Sequence, residues 1–136
     1  MVNSKAKGGQ AEREVMALLK EWHPGEWRRK PFCQKGSDLI TPETFPWSVE
    51  VKNDKQLHLG HLWKPTRFLQ ACWEQTIEQA FDDNKKPLLI MKIEGSWFAA
   101  TVLDGKYNTA YNLVNFDGKP VIIRTLQDFI WVYSDV

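Results

Sequence analysis

This chain lacks long apolar runs, has few cysteines and carries almost no net charge. No apolar stretch approaches the roughly 18 residues of a membrane span, so a membrane partner is not expected. The start, Met1 to Lys7, has no apolar core behind its charges and does not read as a secretory signal. Only two cysteines occur, Cys33 and Cys72. They fit free thiols in a reduced, cytoplasmic setting; one disulfide remains open, but no cysteine spacing suits a metal. The net charge of +1 does not by itself point to nucleic acid. Against these scarcities stand seven tryptophans and 43% hydrophobic residues in 136 positions. That composition describes a folded chain, and the length suits a single domain spanning 1–136.

Charge is unevenly spread. Residues 1–67 hold twelve Lys/Arg against eight Asp/Glu, and residues 68–136 hold six against nine. A basic front with an acidic back is compatible with binding a phosphate backbone. The basic groups that stand out are Lys5 and Lys7 in a polar arm (residues 1–7, expected to be flexible), then Arg28, Arg29, Lys30 and Lys35.

Periodicity predicts a helix from Gly8 to about Trp22, with Ala11, Val15, Leu18, Leu19 and Trp22 in helical register. Pro24-Gly25 ends it. Strands are expected at 26–32, 37–41 and 47–52, the last two close enough for an antiparallel hairpin. Residues 53–65 read as a long loop, and a second helix as running from Thr66 to about Asp83. Leu88-Leu89-Ile90-Met91 is an apolar run suited to a strand buried on both faces. A turn at Glu94-Gly95-Ser96 leads to a strand from Trp97. Residues 104–119 read as loop, 121–123 as a short strand, and Thr125 as the cap of a last helix. The order predicts an α/β fold, a central mixed β-sheet flanked by helices.

Asp38, Glu50 and Lys52 carry the chemistry. Residues two apart in a strand share a face, so Glu50 and Lys52 project together while Val49 and Val51 face the other way. If the strand at Asp38 lies alongside, two carboxylates and an ammonium converge. Hard oxygen ligands suit Mg²⁺, and a lysine beside them can orient water or stabilise phosphate charge. The set fits phosphodiester cleavage. Glu12 sits at the edge of the first helix's apolar stripe. It is either a boundary residue reaching solvent or a third acid turned towards that site.

The segment Lys7-Gly8-Gly9-Gln10-Ala11-Glu12-Arg13-Glu14-Val15, followed by Ser37-Asp38-Leu39-Ile40 and Val49-Glu50-Val51-Lys52, resembles archaeal-type Holliday junction resolvases of the PD-(D/E)XK nuclease superfamily. Lys86 to Lys92 and Trp97-Phe98 are similar to the strands that follow the family's second helix. The likeness covers roughly residues 5–100; Ser37 stands where the superfamily has proline, and residues 101–136 match nothing in the pattern. It implies a restriction-endonuclease-like fold with metal ligands Glu12, Asp38, Glu50 and the Val51 carbonyl. Lys52 would hold the attacking water or the phosphoryl charge. Arg13 and either Arg28 or Arg29 would take backbone phosphates. Mg²⁺ is the implied cofactor, with Mn²⁺ a substitute, branched DNA the partner, and a homodimer the assembly. Trp73-Glu74-Gln75…Gln79-Ala80 is similar to the helix glutamine of phage-type members. Gln75 is preferred over Gln79 as a catalytic residue, with a solvated helix face the alternative.

His58 and His61 lack a third ligand and read as surface residues that, with Lys55, Lys64 and Arg67, approach DNA. The seven tryptophans read mostly as core. Three functions remain open: a junction resolvase, another DNA endonuclease of the superfamily, and a non-catalytic DNA-binding domain of the same fold.

Overall fold

Strand β4 (Lys86–Ile93) alternates its apolar residues between two cores. The computed structural model describes residues 4–30 and 38–134, with side chains from Gly9 onward. Leu88 and Ile90 face one core with Val15, Leu19, Trp47 and Phe129. Leu89, Met91 and Ile93 face the other with Leu69, Cys72 and Trp73. A strand covered on both faces needs apolar side chains at every position, and that is the pattern of the run.

Helix α1 spans Ser4–Trp22. Two short strands, β1 (Arg28–Arg29) and β2 (Leu39–Ile40), pair antiparallel with each other. Strand β3 (Trp47–Lys52) pairs parallel with β4. Helix α2 (Arg67–Asp83) forms the crossover between them, as a parallel pair requires. Strands β5 (Ser96–Val102), β6 (Asn112–Phe116) and β7 (Lys119–Thr125) follow, then α3 (Leu126–Tyr133). The main sheet has the order β3-β4-β5-β7-β6, which leaves β3 at an edge. Helices α1 and α3 contribute to one core and α2 to the other. This is the mixed sheet flanked by helices that the sequence predicts, consistent with a restriction-endonuclease-like fold.

Local signals explain the element ends. Thr66 caps α2 by accepting from the Leu69 amide at 3.2 Å, and Thr125 caps α3 by accepting from Asp128 at 3.1 Å. Asn84 ends α2 in the left-handed region at φ 55°. The turns Glu94-Gly95 and Asp117-Gly118 have positive φ at both residues, the geometry that joins twisted antiparallel strands in two residues.

Several expectations are corrected. The helix begins at Ser4, so the arm is helical from there. Within the strand expected at 26–32, only Arg28–Arg29 is strand among the described residues and 31–32 lie outside them; the hairpin between 37–41 and 47–52 does not form. Strand β3 pairs with β4 on its inner side only, and the two-residue β2 is paired with β1 instead. Strand β6 occupies part of what reads as loop. Cys33 and Lys35 lie outside the described residues.

Arg124 on β7 is fully buried and ion-paired with Asp104 at 3.0 Å. Asp104 also accepts from the Tyr133 hydroxyl, and Arg124 donates to the Lys106 carbonyl. The network ties α3 to the loop after β5. Asp104→Ala would strand a buried guanidinium and is expected to lower the unfolding free energy by about 3–5 kcal/mol. A urea midpoint unchanged from the parent would contradict this.

Candidate active site

Glu50 lies on β3 between Ser48 and Lys52, on the face turned towards α2, and is only 1% exposed. Because β3 is an edge strand, its outer amides are not used by the sheet. Asp38 takes one of them: its Oδ2 accepts from the Val51 amide at 2.9 Å. In return the Asp38 amide donates to Glu50 Oε1 at 3.1 Å. The two carboxylates are thus clasped together without a ladder between β2 and β3. In a strand the N–H and C=O of one residue point to the same side, so the Val51 carbonyl also faces the Asp38 side.

Glu50 Oε2 is buried and has no hydrogen-bond partner among the described residues. Burial, with the Asp38 carboxylate next, pushes the Glu50 carboxyl up to about 9, while the Lys52 ammonium opposes the rise. Lys52 is therefore close enough to act on the same group, and it is half-buried at the end of β3. An orphaned buried carboxylate oxygen is costly unless a cation meets it. The donors here, two carboxylates and one backbone carbonyl, are the hard oxygens Mg²⁺ prefers. The residues fit such an ion. Among the described residues, no three His, Cys, Asp or Glu side chains form a ready cluster; the acids come as a clasped pair.

Glu12 stands at the edge of this pair. Its carboxyl is raised by burial and by Asp38, and lowered by Arg29. Glu12 Oε1 accepts from Arg29 Nε at 3.1 Å and lies 3.1 Å from Nη2. This separates the two candidate arginines: Arg29 turns inward to α1, whereas Arg28 is exposed. Gly9 makes room for it, since a Cβ there would lie 2.8 Å from Arg29 Nη2.

The sequence reading missed the helix register. Ser48 Oγ donates to Asp83 Oδ2 at 2.7 Å, and α2 runs opposite to β3. One helical turn back from Asp83 is Gln79, and two residues on from Ser48 is Glu50. Those steps are nearly equal, about 6 Å and 6.6 Å, so Gln79 is level with Glu50. Gln79 is half-buried with its Oε1 lacking a partner among the described residues, while Gln75 is exposed. The signal was present in the helical angle, since Gln79 falls beside Cys72 and Thr76 on the buried stripe.

The remaining basic candidates are less gathered. Arg13 and Lys55 are exposed, and Lys30 is half-buried with its amide donating to the Asp38 carbonyl at 2.9 Å. The side chains of Lys5 and Lys7 lie outside the described residues, as does Lys35. His58 and His61 pair with each other in a turn, the His58 amide donating to His61 Nδ1 at 3.3 Å.

Two comparisons bear on this geometry. Residues 3–127 match the model of a family described as "Phage putative PDDEXK endonuclease". No curated protein matches the chain.

The raised Glu50 carboxyl has a consequence for stability without metal. The folded protein keeps a proton that the unfolded chain, with an ordinary carboxyl near 4.5, releases. Stability therefore falls as pH rises from about 4.5 towards 9. Glu50→Gln removes that loss. In chelator its melting temperature should exceed the parent's by about 4 °C or more at pH 8 and converge with it near pH 5. A gap that stays constant with pH would exclude the protonated, buried Glu50.

Proposed function

The chain belongs to the phage PDDEXK endonuclease family, and on that premise we propose that it is a Mg²⁺-dependent, structure-selective endonuclease that resolves four-way DNA junctions in the cytoplasm of an infected cell. The observation that carries the nuclease chemistry is the clasp of Asp38 and Glu50 at the open edge of β3, with Glu50 Oε2 left for a cation. The junction substrate is supported by the resemblance of the α1 segment Lys7 to Val15, taken with the two later motifs, to archaeal-type resolvases. Two symmetric nicks need two sites and each chain supplies one, so a two-fold homodimer follows from that substrate.

Asp38, Glu50 and the Val51 carbonyl would hold the ion, which when bound offsets charge on the scissile phosphate and acidifies water. Lys52, on the face of Glu50, presents its ammonium to the attacking water or to the phosphoryl oxygens. Gln79, level with Glu50, offers an amide to the same water. Arg29, held by Glu12 over Gly9, supplies a guanidinium for a neighbouring phosphate. Water oxygen bonds to phosphorus and gives up a proton to solvent as the bond to the 3′ oxygen breaks, and that oxygen takes up a proton, leaving 5′-phosphate and 3′-hydroxyl ends.

Cleavage of an immobile four-way junction, compared with flap, nicked and continuous duplex, tests the reading. The parent should cut the junction with Mg²⁺ or Mn²⁺ and not with chelator. Asp38→Asn and Glu50→Gln should abolish cutting while junction binding survives, and Lys52→Ala should slow it about 100-fold or more. Undiminished cutting by the pure Asp38→Asn and Glu50→Gln proteins would sink the site assignment. Preference for another of the four DNAs would move the substrate and keep the nuclease.

A further inference from the structure

Residues 53–66 leave β3 directly after Lys52 and pack back against the first half of α2. Leu57 and Leu62 are buried there with Leu69, Cys72 and Trp73. The segment leaves the sheet at the end of β3 that carries Glu50 and Lys52, and residues 59–62 reach across to β6. The segment is held at several points. Asp54 Oδ1 accepts from the Gln56 amide at 2.9 Å, and the Leu59 amide donates to Glu94 Oε2 at 3.0 Å. A 3-10 turn spans Leu59–Leu62, and the Trp63 and Lys64 amides both donate to the Gly60 carbonyl at 3.2 Å.

On this pinned backbone the Trp63 indole is 81% exposed. Trp27, Trp47 and Trp73 are buried, and burial of so large a ring is strongly favourable. An indole held out in water therefore forgoes a sizeable gain. Its surroundings are cationic: the stretch 53–67 carries Lys55, Lys64 and Arg67 against Asp54 alone. Lysine is depleted at the centre of protein–protein interfaces. Exposed aromatic faces among cations are what unpaired nucleotides meet, the base stacking on the ring and the phosphates facing the ammonium groups.

We propose that Trp63 is a base-stacking contact for unpaired or unstacked nucleotides of DNA held at the Asp38–Glu50 site, and that it biases the enzyme towards branched or opened DNA over continuous duplex. The proposal rests on the DNA endonuclease reading above and adds the residue that would sense the branch. Trp63 is fixed by its turn, so the ring is presented without an ordering cost in the backbone.

Affinities measured by fluorescence anisotropy in the non-cleaving Asp38→Asn background test it, with a single-stranded oligonucleotide, a four-way junction and a continuous duplex as probes. Trp63→Ala should weaken the first two by about tenfold or more and leave the duplex within about twofold. Trp63→Phe should recover most of the loss, and Trp131→Ala, at an exposed tryptophan on α3, should change none of the three. Equal affinities for Trp63→Ala and its parent, an equal loss on all three DNAs, or a change of sedimentation that marks Trp63 as a subunit contact would each overturn the stacking role. A parent that binds none of the DNAs would overturn the endonuclease reading along with it; a parent that binds them but ignores Trp63→Ala overturns the stacking role alone.

Discussion

The organising interaction is the exchange between Asp38 and β3: a carboxylate accepting from the Val51 amide and an amide donating to the Glu50 carboxylate. It is possible only because β3 is the edge of the sheet and its outer amides are open. A neighbouring strand would consume those amides in a ladder. The two-residue strand β2 is short enough to leave them for a side chain. Everything else at the site is arranged from this clasp. Asp38 is brought to Glu50, Glu12 of α1 and Arg29 of β1 pair at its edge, and Asp83 holds Ser48 so that α2 covers Glu50.

The clasp sets two demands against each other. A buried carboxyl beside a second carboxylate resists ionisation, as the raised Glu50 carboxyl shows. A metal ligand must be ionised to serve. The fold carries that cost on the opposite face of the same strand, where Trp47 packs edge-on to Phe45, Phe129 and Tyr133, with Trp22 tilted against it. Aromatic packing at that face locks β3 in position. The polar face is then free to be chosen for chemistry rather than for stability.

Sequence patterns disclose a good deal of this, each through a local physical rule. Alternation in 47–52 places Glu50 and Lys52 together, the apolar run at 88–91 marks the central strand, and Thr125 marks the cap of α3. Strand β6 escapes because its residues alternate weakly and only Asp117-Gly118 advertises the hairpin. Arg28 and Arg29 are indistinguishable until one of them has to fit over Gly9. Gln75 and Gln79 look alike on a helix whose rotation about its own axis is set from outside, by the Ser48–Asp83 bond.

The PD-(D/E)XK nuclease superfamily, the fold class and the convergence of Asp38 and Glu50 were thus legible in the sequence alone, because strand alternation and short motifs are properties of neighbouring residues. The partner of β2, the inward arginine, the glutamine level with Glu50 and the exposure of Trp63 were decided only by tertiary structure. Each depends on which distant segment arrives first at an open hydrogen-bonding edge or a helix face, and no local pattern records that.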